Sequence, residues 1–223
     1  MMIRVLVLWL LCINMVLGVE VFNVLNVGSS ARMIGIGNIY GFSKSSDSVF
    51  ENPASLTLTN QTSLSMFHTA FLNEEVKLNV FSASNRTEWG TFGFGYFSFV
   101  VDDLAHTYVL DNGDFDIKDR FAFTDTQVNM SYQNQVTRSL SYGFTFKYFS
   151  KESLDISGRG YNLDGGLFLS SDLADFSLVG RNLIPFLKMH YRGGAQERFP
   201  LGAFLSASRS FDDFVFFAQI IFF

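Results

Sequence analysis

The stretch SLSYGFTFKY (Ser139–Tyr148) alternates without an error. Leu140, Tyr142, Phe144, Phe146 and Tyr148 fall on one side, and Ser139, Ser141, Gly143, Thr145 and Lys147 on the other. A period of two is the signature of a β-strand with unlike faces, and a tilted membrane-crossing strand takes about 9–11 residues. The same pattern recurs on both sides of it. Val76, Leu78 and Val80 oppose Lys77 and Asn79; Val128, Met130 and Tyr132 oppose Gln127 and Asn129; Tyr161, Leu163, Gly165, Leu167 and Leu169 oppose Asn162, Asp164 and Gly166. In Thr91–Phe99 the aromatic parity switches between Tyr96 and Phe97, which predicts a bulge near residue 96. Weaker candidate strands cover 63–71, 105–110, 174–179, 201–209 and 214–223. The last of these carries Val215, Phe217, Ile221 and Phe223 in one parity, with Gln219 as the exception.

Composition narrows what these strands do. The chain of 223 residues is 17% aromatic, with 27 Phe against 2 Trp, and its mean hydropathy is positive. Beyond residue 18 no apolar run approaches the roughly 20 residues that a spanning helix needs. Strands that turn one apolar face to lipid reconcile the two facts, because helices and closed barrels are the structures that satisfy every backbone polar group there. The net charge of −5 argues against nucleic acid, which calls for a basic stripe. The expected fold is all-β: an antiparallel transmembrane β-barrel of about 8–10 strands.

The first residues read as an export signal: Arg4, an apolar run from Val5 to Leu17, then Gly18. Residues 1–18 are therefore expected to be a cleaved signal peptide, residues 19–60 a non-strand segment, and residues 61–223 the barrel. Cys12 follows Trp9-Leu10-Leu11, a poor lipoprotein site because residue 11 is bulky. The stretch from Phe22 to Leu56 is punctuated by Gly28, Gly35, Gly37 and Gly41 and closes on Asn52-Pro53-Ala54, where proline fixes φ and holds Asn52 out of the α region.

In order, this stretch holds Gly28-Ser29-Ser30-Ala31-Arg32, Met33-Ile34-Gly35-Ile36-Gly37-Asn38, a polar bend from Ser43 to Ser48, and Asn-Pro-Ala. That succession resembles the N-terminal region of the FadL-like and PorV-like bacterial outer-membrane barrels. Further along, Asp164-Gly165-Gly166-Leu167-Phe168, Phe176 to Leu183 with its Asn-Leu turn, and Phe199-Pro200-Leu201-Gly202 follow the same family order. Asp47 stands alone where the family has an acidic pair, and Glu51 replaces its Trp or Ser before Asn. The chain is also short for that family, so a trimmed barrel or one completed by another chain or copy is expected. The resemblance implies a plug or hatch inside the barrel, with Gly28, Arg32, Gly35, Gly37, Asn52, Pro53 and Ala54 as gate candidates. It also implies uptake of hydrophobic small molecules such as long-chain fatty acids, assembly by the outer-membrane machinery, and location in the bacterial outer membrane. The alternative it offers is an accessory protein that engages secreted or surface partners without transport. Lys77, Asn79, Gln127, Asn129, Thr145, Lys147, Asn162 and Asp164 are the candidates for the lumen.

Nothing in the residues points to catalysis or a cofactor. His68, His106 and His190 lie far apart without a second ligand at metal spacing, and no nucleophile-elbow pattern surrounds any serine. The aspartates between Val101 and Arg120 do not follow an EF-hand spacing and read as a solvated loop. Gly35 and Gly37 lack the third glycine and the preceding strand of a nucleotide site. The reading is of a non-enzyme that needs no metal or cofactor.

Overall fold

The computed structural model describes residues 27–222, so the expected signal peptide, the start of the N-terminal segment and Phe223 lie outside the described residues. Within them the chain is all-β. A non-strand segment comes first, carrying α1 (Ala31–Gly35), α2 (Ser48–Glu51) and a 3-10 helix (Pro53–Leu58). The first and last of these helices begin on a capping residue. The Ser30 side chain accepts from Met33 N at 3.2 Å, and Asn52 accepts from Ala54 N at 2.9 Å with Pro53 in the first turn, the arrangement that satisfies orphan N–H groups.

Eleven strands follow: β1 (Thr62–Phe71), β2 (Val76–Thr87), β3 (Gly90–Val109), β4 (Phe115–Gln135), β5 (Leu140–Ser153), β6 (Ile156–Ser170), β7 (Asp175–Arg181), β8 (Lys188–Tyr191), β9 (Gln196–Arg198), β10 (Gly202–Phe211) and β11 (Phe214–Phe222). They form one antiparallel sheet in the order β1-β2-β3-β4-β5-β6-β7-β10-β11, and β1 and β11 are not paired to each other. β8 joins the other end of β6 at Gly158 and Arg159, where β7 no longer pairs, and carries β9 beside it. The candidate strands 91–99 and 105–110 are one strand, β3; β8 and β9 were too short to show a period.

The N-terminal segment covers one face of this sheet, which we call the inner face. Phe42 lies against Phe217 of β11, with ring centroids 5.7 Å apart, and Ser46 N donates to Ser63 Oγ of β1 at 3.0 Å. Those two contacts are four residues apart, a reach of about 14 Å of extended chain. A flat nine-stranded path would separate its edge strands by roughly 38 Å. The sheet therefore curls around the segment and brings β1 and β11 toward each other.

Strand faces depart from the sequence reading in three places. Between Thr91 and Val101, β3 pairs without interruption with both neighbours, so there is no bulge at residue 96; the irregularities fall at Val101/Leu104 and His106/Thr107. In β2 the apolar residues Leu78 and Val80 are the inner ones, clustered with Val49, Phe50, Leu56 and Phe97. Lys77 and Asn79, taken as lumen candidates, lie on the outer face. Lys77 is paired with Asp102 at 2.8 Å, and Asn79 is bonded to His68 at 2.8 Å. In β11, Phe217 and Gln219 face the segment, with Gln219 Oε1 accepting from Tyr40 N at 2.9 Å. That parity carries Val215 and Ile221 inward and leaves Phe216, Ile220 and Phe222 outward.

Beyond Val101 and Phe123, β3 and β4 continue as a two-stranded arm. Asp102, Asp103, Asp116 and Asp119 are part of this strand pair, whereas Asp111 and Asp114 lie in the exposed turn that joins the two strands; Asp103 and Asp119 meet Arg120 and His106.

Candidate functional site

The inner face is built to receive the segment. Glycines of the wall sit under it where any side chain would collide: a Cβ on Gly93 would come 2.5 Å from Val49 Cγ1, on Gly95 2.6 Å from Phe50 Cζ, on Gly143 2.5 Å from the Pro53 carbonyl carbon, and on Gly166 1.9 Å from Asn52 Oδ1. The Asn-Pro-Ala turn is thus seated on Gly143 and Gly166. Asn52, fully buried, donates from Nδ2 to the Leu167 carbonyl at 3.0 Å and to Ser177 Oγ at 2.9 Å. Ala54 packs with Phe42 and Phe168. Among the other gate candidates, Gly28 needs its positive φ of 104° and has no room for a Cβ, and Arg32 lies over the Phe217 ring at 6.0 Å. Gly35 and Gly37 face open space.

A buried polar network ties segment to wall. Arg181 Nη2 donates to the Phe50 carbonyl at 2.6 Å and Nη1 to Tyr40 Oη at 3.1 Å, while its guanidinium stacks on Tyr40 at 4.1 Å from the ring centroid. Asn129 Nδ2 donates to the Val49 carbonyl at 3.0 Å, and Ser82 Oγ donates to Asp47 Oδ1 at 2.8 Å. Glu51 accepts on Oε2 from Gly41 N at 3.1 Å and Ser43 N at 3.3 Å, while Oε1 has no hydrogen-bond partner. Burial pushes its carboxyl up to about 7, against the opposing pull of the Gly41 N–H and of Arg32.

Gln127, Asn129, Thr145, Lys147, Asn162 and Asp164 are all buried on the inner face. Lys147 is paired with Asp164 at 2.5 Å and donates to Asn182 Oδ1 at 2.7 Å. Asn182 N donates back to Asp164 at 2.8 Å, so the three residues close a ring that holds the exit of β7, where Asn182 takes a φ of 54°. Asn162 accepts from Ile184 N at 3.2 Å and fixes the next part of the same loop.

The two faces exchange polarity at one level of the sheet. On the outer face the cross-strand row Met66, Phe81, Tyr96, Val128, Tyr148, Tyr161 is apolar and aromatic, and the next row, His68, Asn79, Ser98, Thr126, Ser150, Arg159, is wholly polar. Below that limit the outer side of β5 runs from Leu140 to Tyr148, about 26 Å of strand. On the inner face the change is confined to β1–β4. There the row Phe71, Val76, Val101, Phe123 is apolar and lies past the segment, with Phe71 45% exposed; on β5 it passes to Ser153, and the row before it carries Asp125 and Lys151, 4.0 Å apart. Phe67 and Phe99 of the same face pack onto the cluster of Val49 and Phe50. The inner face therefore ends, over β1–β3 and Phe123, in a greasy rim above the N-terminal segment, flanked by the Asp125–Lys151 pair.

Glu51, Arg181, Asn182, Gln219 and the wall glycines were not foreseen as site residues. Gln219 did leave a signal, as the polar exception in an apolar parity. Among the described residues no group of three potential metal ligands occurs, and no helix is long and apolar enough to cross a membrane. Comparison with known proteins finds no family, no characterised relative and no solved structure that matches the chain.

Proposed function

We propose that the chain is a bacterial outer-membrane β-barrel protein of the FadL-like kind, in which residues 27–58 form an internal plug and the greasy rim receives a hydrophobic small molecule such as a long-chain fatty acid. The exchange of polarity between the faces carries the reading. An apolar outer band about 25 Å tall with aromatic residues at its margin is what a membrane strand array presents to lipid, and the all-polar row that ends it matches a headgroup boundary. At that level the inside of β1–β3 turns apolar beside the Asp125–Lys151 pair, which suits capture of a ligand whose affinity comes from buried hydrocarbon and which carries one polar end. Burying ten methylenes of an acyl chain contributes up to about 8 kcal/mol before the cost of immobilising it.

Passage would require the plug to shift from its glycine seats, and the Asn-Pro-Ala turn is the part most firmly held. The test is liposome uptake of a fluorescent long-chain fatty acid by the wild type, by Phe123→Asp and by a deletion of residues 52–54. Wild-type uptake that falls at least tenfold in Phe123→Asp and changes in the deletion, both variants still showing heat-modifiable migration in detergent gels, supports the reading. Uptake indifferent to both changes overturns it.

A further inference from the structure

The outer face carries a cluster of cations without acidic partners. On β2–β4, Lys77 meets Asp102, Arg120 meets Asp103 and His106 meets Asp119. Around β6, β8 and β9 the pattern differs. Arg159, Lys188, Arg192 and Arg198 have no carboxylate within ion-pair distance among the described residues, and Lys188 donates to the neutral Gln196 at 3.0 Å.

Register gathers these cations on one face. Buried Met189 and Tyr191 lie beneath Gly160 and Gly158, where an added Cβ would meet them at 3.1 Å and 2.6 Å, and those glycines share the inner parity of Asn162. Lys188, His190 and Arg192 therefore point outward. Glu197 turns inward, accepting from Tyr191 Oη at 2.6 Å and lying 3.5 Å from Lys151, which leaves Arg198 outward. Arg159 is paired with His190 and Lys188 with Arg198, on strands about 4.8 Å apart. Arg192 N donates to the Ser157 carbonyl at 2.8 Å and extends the same alignment. Its side chain lines a groove of about 650 Å³ with Thr124, Glu152, Asp155 and Ser157. Four cations against the two acids of that groove leave a surplus of two positive charges.

The surroundings of the patch select what it receives. Next to Arg159 the apolar band begins: Tyr161 stacks on Phe146 at 5.8 Å and lies 5.3 Å from Tyr148. Ser150, in register with Arg159, adds a hydroxyl. Guanidinium groups with hydroxyls beside them suit the oxygens of a phosphate, and exposed aromatic rings suit hydrocarbon. We propose that the outer face of β6 and β8 binds a phosphate-bearing lipid, its phosphate on Arg159 between Arg192 and Lys188 and its acyl chain along Tyr161, Tyr148 and Phe146. The site rests on the barrel reading above, which sets the aromatic band in hydrocarbon.

The experiment uses the full chain, purified in a neutral detergent and titrated with dioleoyl phosphatidic acid or with dioleoylglycerol, which has the same chains and no phosphate. Native mass spectrometry counts the bound lipid. Phosphatidic acid should bind about a hundredfold more tightly, and Arg159→Gln, Lys188→Gln and Arg192→Gln should each remove about fivefold, the factor that one Lys or Arg contributes near an anionic lipid surface. Lys77→Gln, whose cation is already paired with Asp102, should leave the affinity unchanged. Arg159→Lys should keep most of the preference. On the wild type, salt at about 1 M, where the Debye length is about 3 Å, should weaken binding. Equal affinity for the two lipids, glutamine variants no weaker than Lys77→Gln, or indifference to salt overturns the inference. So does displacement of the lipid by equimolar glycerol phosphate, which would mark a site for soluble phosphate, or tighter binding of poly-glutamate, which would mark one for an acidic protein. Carbonate extraction of native membranes separates the two readings: a released chain refutes the barrel and the site together, whereas a retained chain with any of those outcomes refutes the lipid site alone.

Discussion

Replacing Glu51 by glutamine should abolish a pH dependence of plug docking. Glu51 sits inside the segment with one oxygen accepting from Gly41 and Ser43 and the other without a partner. Burial raises its carboxyl from an ordinary 4.5 to about 7, with Asp47 adding repulsion and Arg32 pulling the other way. Because the docked state holds the proton more tightly than the released one, its stability is fully present below pH 4.5 and is lost as the pH rises through about 7. That interval corresponds to about 3 kcal/mol, or on the order of a hundredfold in the docking equilibrium. Glutamine keeps the oxygen that accepts from Gly41 and Ser43 but carries no charge. Hydrogen exchange of residues 31–58, corrected for the intrinsic pH dependence of exchange, should show wild-type protection falling between pH 5 and 8 while Glu51→Gln stays flat. The variant should be the better protected of the two at pH 8. Parallel profiles, or wild-type protection that grows with pH, would refute the placement of a buried, underpartnered carboxylate at the heart of the plug.

Two further substitutions test the wall. Gly143→Val and Gly166→Val place side chains where Pro53 and Asn52 now lie, so each should weaken docking by about 1–3 kcal/mol and speed proteolysis within residues 31–58. Gly35→Ala, in α1 with open space around it, should instead protect the segment by up to about 1 kcal/mol. In the ring formed by Lys147, Asp164 and Asn182, Lys147→Met alone should cost about 3–5 kcal/mol in urea unfolding by stranding a buried carboxylate, whereas Lys147→Met with Asp164→Leu should recover most of the loss.

How much of this was legible in the sequence depends on what each face meets. Period two locates a strand but not the sign of its faces. In β5 and β6 one side is aromatic and the other polar or small, so the inner residues Thr145, Lys147, Asn162 and Asp164 could be named from spacing alone. In β2 the alternation was equally clean, yet its apolar side is the inner one, because Leu78 and Val80 meet Val49 and Phe50 of a segment more than twenty residues earlier. No local pattern records that contact. β11 shows the same limit, since Phe217 is drawn inward by Phe42. The Asn-Pro-Ala turn was visible as a turn, but its seat is made by Gly143 and Gly166, ninety and more residues away.

The switch of aromatic parity in β3 is the most instructive of these differences. Read locally, Phe92, Phe94 and Tyr96 followed by Phe97 and Phe99 call for a bulge that keeps one face greasy. The strand runs straight instead, paired without a break from Thr91 to Val101, so its aromatic residues change sides. Outside, the row ends at Ser98; inside, Phe97 and Phe99 join Leu78 and Val80 and lead to Val101. A bulge would have kept a single apolar face at the cost of an unpaired residue and a locally disrupted ladder. The straight strand keeps the ladder intact and places apolar surface inside at the level where the outside turns polar. The inward-turned aromatic residues have a partner there: Phe97 and Phe99 pack with Leu78 and Val80 against Val49 and Phe50, so the change of sides in β3 is set by the segment that the sheet covers.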